Sequence, residues 1–207
     1  MKHLLFLILI VLALPIKAQN IQFIFNEKNV LATFELYKSF DHSALYYFTD
    51  FKFSKNGYDE SYSEISYYQN IKQIFSLTAQ YNAGLNKDFQ IKPVYLAGIS
   101  KTFTFWETFN LSFDVLYRYQ VELITEPEIN WGNNGFQITS AFSFVADKIE
   151  ISGYCDFWNL QYFIFEPQGW WKFSKRIYAG LEWRVSNYDL LEDYKGYVML
   201  GLKCNLE

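Results

Sequence analysis

Two sets of side chains in this sequence have the types and spacing to handle a small solute. The first is aromatic: Tyr37, Tyr46, Phe48, Tyr68, Tyr154, Trp158, Trp170 and Tyr178. The second is charged: Glu35, Asp50, Glu64, Asp114, Arg118, Glu150, Asp156, Glu166, Lys172, Glu182 and Arg184. Flat rings stack on planar ligands, and charged groups bond hydroxyl and amide edges, so together the sets suit a ligand-binding or pore-lining surface. Charges withdrawn from water need partners, which predicts pairing of Glu166 or Glu182 with Lys172 or Arg184. That expectation holds whether the sets bind a solute or plug a lumen for stability.

Catalysis has less to build on. Hydrolases of barrel type use histidine as base, and only His3 and His42 occur. His42 follows Asp41 in a predicted turn, where turn chemistry accounts for both residues. No spacing singles out a carboxylate pair, and there is no glycine-rich phosphate loop or metal-ligand cluster. Cys155 and Cys204 share the apolar parity of two separate strands and read as small hydrophobes, a disulfide being the alternative in an oxidising compartment. The expectation is a protein that is not an enzyme and uses no cofactor or metal.

The elements that must position these side chains follow one pattern, clearest at 109–122. Phe109, Leu111, Phe113, Val115, Tyr117, Tyr119 and Val121 alternate with residues that are polar or charged, Leu116 excepted. Side chains alternate across a strand with period two, so one face meets an apolar medium and the other a wet one. The run is long enough to cross a bilayer as a tilted strand, which takes about 9–11 residues. Similar alternation recurs at 21–25, 31–40, 44–53, 62–69, 75–83, 94–103, 136–144, 149–158, 163–173, 177–185 and 198–206, with Pro167 marking a bulge or a weak ladder position. That makes about twelve strands, an even number as single-chain outer-membrane barrels have. Tight turns near Asp41, Ile71, Ala146 and Ser174 alternate with longer connections at 54–60, 84–92, 123–134 and 188–193. With both termini on one side, all the tight turns fall together, the asymmetry of periplasmic turns and extracellular loops.

Composition decides which face meets lipid. Aromatic residues make up 21% of the chain and charged residues 19%, against about 25% charged in soluble domains. The polar set is mostly Ser, Thr, Asn, Gln and Tyr, unlike a water-facing exterior, and the apolar set is too bulky for one small lumen. Rings at strand ends, such as Phe53, Phe103, Trp106, Phe109, Trp131, Phe136, Trp171 and Phe173, are placed for interfacial girdles. A net charge of −4 gives no electrostatic case for nucleic acid. At the start of the chain Lys2, the apolar run 4–14 and the stretch 15–18 read as a signal peptide, so the mature barrel is expected to occupy 19–207.

Several segments resemble the Tsx-like family of nucleoside-specific outer-membrane channels, and small uncharacterised Tsx-like proteins more closely: 32–53 (ATFELYKSFDHSALYYFTDFKF), 61–71 (SYSEISYYQNI), 94–120 and 136–158 (FQITSAFSFVADKIEISGYCDFW). The resemblance implies an all-β, antiparallel up-and-down transmembrane β-barrel of about twelve strands with a narrow pore passing nucleosides. Its implied partners are the lipid bilayer, a small polar solute and the outer-membrane assembly machinery, which generally reads a terminal aromatic residue where this chain has Lys203, Cys204, Asn205, Leu206 and Glu207. The expected function is an outer-membrane channel for small polar solutes. A plugged structural or surface-interaction barrel, or a secreted soluble carrier, are the alternatives.

Overall fold

The computed structural model describes residues 19–88, 90–121, 134–187 and 196–206. The predicted signal peptide, Trp131 and most of the two longest connections lie outside the described residues. Twelve antiparallel strands form one closed barrel: β1 (Gln19–Phe25), β2 (Asn29–Ser39), β3 (Ser43–Ser54), β4 (Gly57–Ile71), β5 (Phe75–Asn86), β6 (Gln90–Phe105), β7 (Phe109–Gln120), β8 (Gly135–Ala146), β9 (Ile149–Trp158), β10 (Tyr162–Lys172), β11 (Ile177–Ser186) and β12 (Tyr197–Asn205). Each strand pairs with its neighbours in sequence, and β1 closes on β12, with Asn20 opposite Asn205. Closure removes the exposed edges that an open sheet would leave to be paired by other chains. The expected fold class is therefore the observed one.

Alternation in the sequence translates directly into two surfaces. Register runs Leu96, Arg118 and Gly135 along one lumen row, and Tyr95, Tyr119 along the adjacent outward row. Outward positions carry exposed Phe23, Leu77, Ile99, Val115, Ile138, Leu181 and Leu200, with Trp171 and Phe173 near the end of the barrel that holds the termini. Lys38 also sits outward, its ammonium 5.5 Å from the centroid of the Phe40 ring. Both cysteines are free and outward, Cys155 opposite Phe165 and Cys204 opposite Ile177.

Two of the expected long connections are not loops. Strands β3 and β4 join through residues 55–56, with Gly57 at φ +104°, and β5 and β6 through 87–89. The ladder continues past the apolar pattern: Glu60 pairs Asn86, Tyr58 donates its hydroxyl to the Leu85 carbonyl at 3.0 Å, and Lys87 bridges Asp59 at 2.9 Å. A strand that projects into water keeps its backbone bonds but loses its reason to alternate, so periodicity stops before the strand does. The long connections are 121–134 and 187–196, both at the end opposite the termini. Pro167 behaves as expected: register with β11 is interrupted at Glu166 and Pro167, while β9 pairs continuously on the other side.

Three hairpins turn through paired left-handed residues without glycine: Lys72 and Gln73, Trp106 and Glu107, and Asn159 and Leu160. Such turns match strand twist, but a side chain at positive φ costs about 1–2 kcal/mol. Replacing Glu107, at φ 61°, with glycine should raise stability by about 0.5–1 kcal/mol once the looser unfolded chain is counted. A urea midpoint no higher than wild type would show that the turn is not strained.

Candidate functional site

Contacts between strands that are not neighbours identify the interior. The Tyr68 hydroxyl on β4 donates to Asp114 Oδ2 on β7 at 3.3 Å, passing β5 and β6. Lys203 Nζ on β12 lies 2.6 Å from Glu150 Oε1 on β9, passing β10 and β11. In a closed barrel only a chord through the lumen makes such contacts. Every charged and aromatic residue selected from the sequence has the parity of these chords. The register links Glu35 to Phe48, Tyr37 to Tyr46, Glu64 to Phe48, Asp156 to Thr139, Trp158 to Gln137, Glu166 to Tyr154, Trp170 to Glu150, Lys172 to Tyr178 and Gln168 to Glu182.

The carboxylates are held chiefly by neutral donors. Thr33 Oγ1 donates to Asp50 Oδ1 at 2.6 Å, Thr139 Oγ1 to Asp156 Oδ1 at 2.5 Å and Ser66 Oγ to Glu64 Oε1 at 3.2 Å. Asn20 Nδ2 donates to Glu35 Oε2 at 2.8 Å and Gln168 Nε2 to Glu182 Oε2 at 2.6 Å. Cations at salt-bridge distance include Lys203, at Glu150, and Arg184, whose Nε lies 3.0 Å from Glu166. The predicted pairing is thus made by Glu166 and Arg184. Glu182 accepts an amide hydrogen bond from Gln168, and Lys172 lies 5.9 Å from the Tyr178 ring centroid. Hydroxyl and amide donors satisfy carboxylate lone pairs without cancelling charge. Lumen carboxylates outnumber Lys52, Arg118, Lys172, Arg184 and Lys203, so the wall is richer in acceptor oxygens than in cations.

The aromatic residues divide into two groups that parity could not distinguish. Both lumen tryptophans are covered. Trp158, 4% exposed, has the Arg118 guanidinium 5.9 Å from its centroid and stacks with Tyr162 at 5.6 Å and 28°. Trp170, 2% exposed, spreads over Gly180 and Gly201, where any Cβ would strike its ring. Its indole N–H donates to Gln168 Oε1 at 3.1 Å, and Lys203 lies 5.0 Å from its centroid. By contrast Tyr46, Phe48 and Tyr62 form a half-buried ladder on β3 and β4, with successive centroids 5.9 and 5.8 Å apart. Glu64 and Asp50 share those strands, and Asp156 approaches Glu64 from β9 closely enough to interact electrostatically. Tyr154 and Glu35 are half-buried too.

Outside the set selected from the sequence lie Tyr62, Lys203 and the apolar lumen patch Val94, Leu96 and Leu116. Tyr62 was legible as the next even position before Glu64. The patch was not, because Val94 and Leu96 interrupt the polar row that alternation leads one to expect.

A family model described as "Domain of unknown function (DUF5020)" matches residues 19–195. No curated protein matches the chain by sequence. Among solved structures, the NanC porin is 6% identical, with a TM-score of 0.60 over 91% of this chain and 100% of its own. The KdgM porin, solved in complex with disordered oligogalacturonate, is 7% identical with a TM-score of 0.56 over 91% and 99%. At such identity the likeness is one of fold: a twelve-stranded barrel shared with known porins. Neither the matching family model nor these two porins is described as Tsx-like.

Proposed function

We propose that this chain, which belongs to the DUF5020 family, is an outer-membrane channel for small polar solutes that are neutral or cationic, with nucleosides the specific candidate. One observation carries the reading: a closed barrel presents exposed apolar side chains on its outside and an acidic, ring-bearing wall within. Exposed apolar surface on this scale belongs against lipid, and the fold shared with porins supports a bilayer setting. Export would use residues 1–18 as a cleaved signal, and the outer-membrane assembly machinery would insert the barrel.

Solute class follows from lumen chemistry. A polyanion such as the oligogalacturonate bound to KdgM would meet Asp50, Glu64, Asp156 and Glu182 here. A solute rich in hydroxyl and amine donors meets acceptors, and a flat heterocycle finds the Tyr46, Phe48 and Tyr62 ladder. Nucleosides combine those features without net charge, and the resemblance of 32–53 and 61–71 to Tsx-like channels points the same way. Of the eight rings that the sequence offers for stacking, the proposal uses Tyr46 and Phe48 in this ladder, joined by Tyr62, because Trp158 and Trp170 are covered.

Planar-bilayer recordings test this. Discrete steps with a reversal potential shifted toward the cation are expected in a potassium chloride gradient, together with block by adenosine or uridine. Phe48→Ala should weaken the block about tenfold, as loss of one base-stacking ring does. Anion selectivity would overturn the charge assignment. Silence from a folded, inserted barrel would favour the plugged, structural reading, which the burial of Trp158, Trp170, Leu96 and Leu116 supports.

A further inference from the structure

Lys203 lies at the terminus-bearing end of β12, with its side chain 4% exposed. Its ammonium sits 5.0 Å from the centroids of both Trp170 and Tyr178 and 2.6 Å from Glu150 Oε1, while Glu35 is near enough to feel its charge. Two ring faces and a carboxylate around one cation are the chemistry that recognises alkylammonium groups. The floor of this cage is prepared on the backbone. Gly180 and Gly201 occupy adjacent lumen positions and let the Trp170 indole lie flat, face toward Lys203. A salt bridge serving only to brace β9 against β12 would need neither the glycines nor the rings.

We propose that this cage is a binding subsite for alkylammonium groups, which Lys203 occupies as a tethered competitor and from which a cationic solute displaces it. The proposal rests on the channel reading above and adds the amine as the group recognised. Lys203 then acts as both plug and sensor: a neutral solute leaves it seated, and an ammonium exchanges with it.

Choline and its uncharged isostere 3,3-dimethyl-1-butanol are the probes, used with the intact barrel in detergent micelles. In the wild type, choline should release Lys203 and raise its acylation by an amine-reactive ester at least about threefold, read by mass spectrometry, while the isostere leaves it unchanged. In Lys203→Ala the vacated cage should bind choline about tenfold or more tightly than wild type, read by calorimetry, and Trp170→Leu in that background should abolish the gain. If Lys203→Ala fails to fold, the wild-type acylation decides alone. Equal acylation with both probes overturns the proposal, as does a folded Lys203→Ala barrel with no gain in choline affinity. Neither readout needs conduction. A silent barrel that passes both tests loses the channel and keeps the cage, whereas a conducting barrel that fails them loses only the cage.

Discussion

Replacing Arg184 with methionine is expected to destabilise the barrel by about 2 kcal/mol, measured as a lower urea midpoint in micelles. The guanidinium is the cation at salt-bridge distance from Glu166, and its charge also reaches Asp50 and Glu182. Breaking a buried ion pair costs about 3–5 kcal/mol, because a carboxylate is left without its counter-charge in a poorly solvated place. Arg184 is 31% exposed and Glu166 11%, so screening by lumen water reduces that figure. Glu166→Met in the same chain should recover most of the loss, since an apolar pair of similar volume replaces an ion pair at little cost. The single variant should also move the reversal potential further toward the cation. Stability equal to wild type would show that the pair contributes nothing net.

A second large effect is expected at Gly180. A side chain there meets the Gly169 carbonyl of the paired strand and the six-membered ring of Trp170, so Gly180→Val cannot be relieved by a rotamer change alone. Overpacking against backbone costs about 1–3 kcal/mol, and loss of the Trp170 seat adds to it. The predicted outcome is a barrel at least about 3 kcal/mol less stable, seen as loss of the heat-modifiable band in electrophoresis. Gly201→Ala should cost less, because its Cβ meets only the far edge of the indole. If both variants assembled like wild type, Trp170 would not lie flat across these two positions.

The course of the strands was legible because a barrel wall separates two media and every strand must satisfy both. Alternation at 109–122 and its repeats therefore identified the twelve strands and the inward parity of Glu35, Asp114, Glu182 and the other selected residues. Where one medium lies on both sides, the signal ends. Residues 57–60 and 84–86 continue their strands past the apolar wall, which is why their sequence has the look of a connection.

Sequence alone determined which side chains face inward, since parity is a local property of an extended chain. Only tertiary structure decided which of them meet. Lys203 reaches Glu150 across two strands, Arg118 covers Trp158, and Tyr68 bonds Asp114, contacts set by barrel closure between residues far apart in the chain. Closure also decided that the two tryptophans are covered while Tyr46, Phe48 and Tyr62 stay half-buried. Curvature brings side chains together over distances that a two-residue period cannot encode.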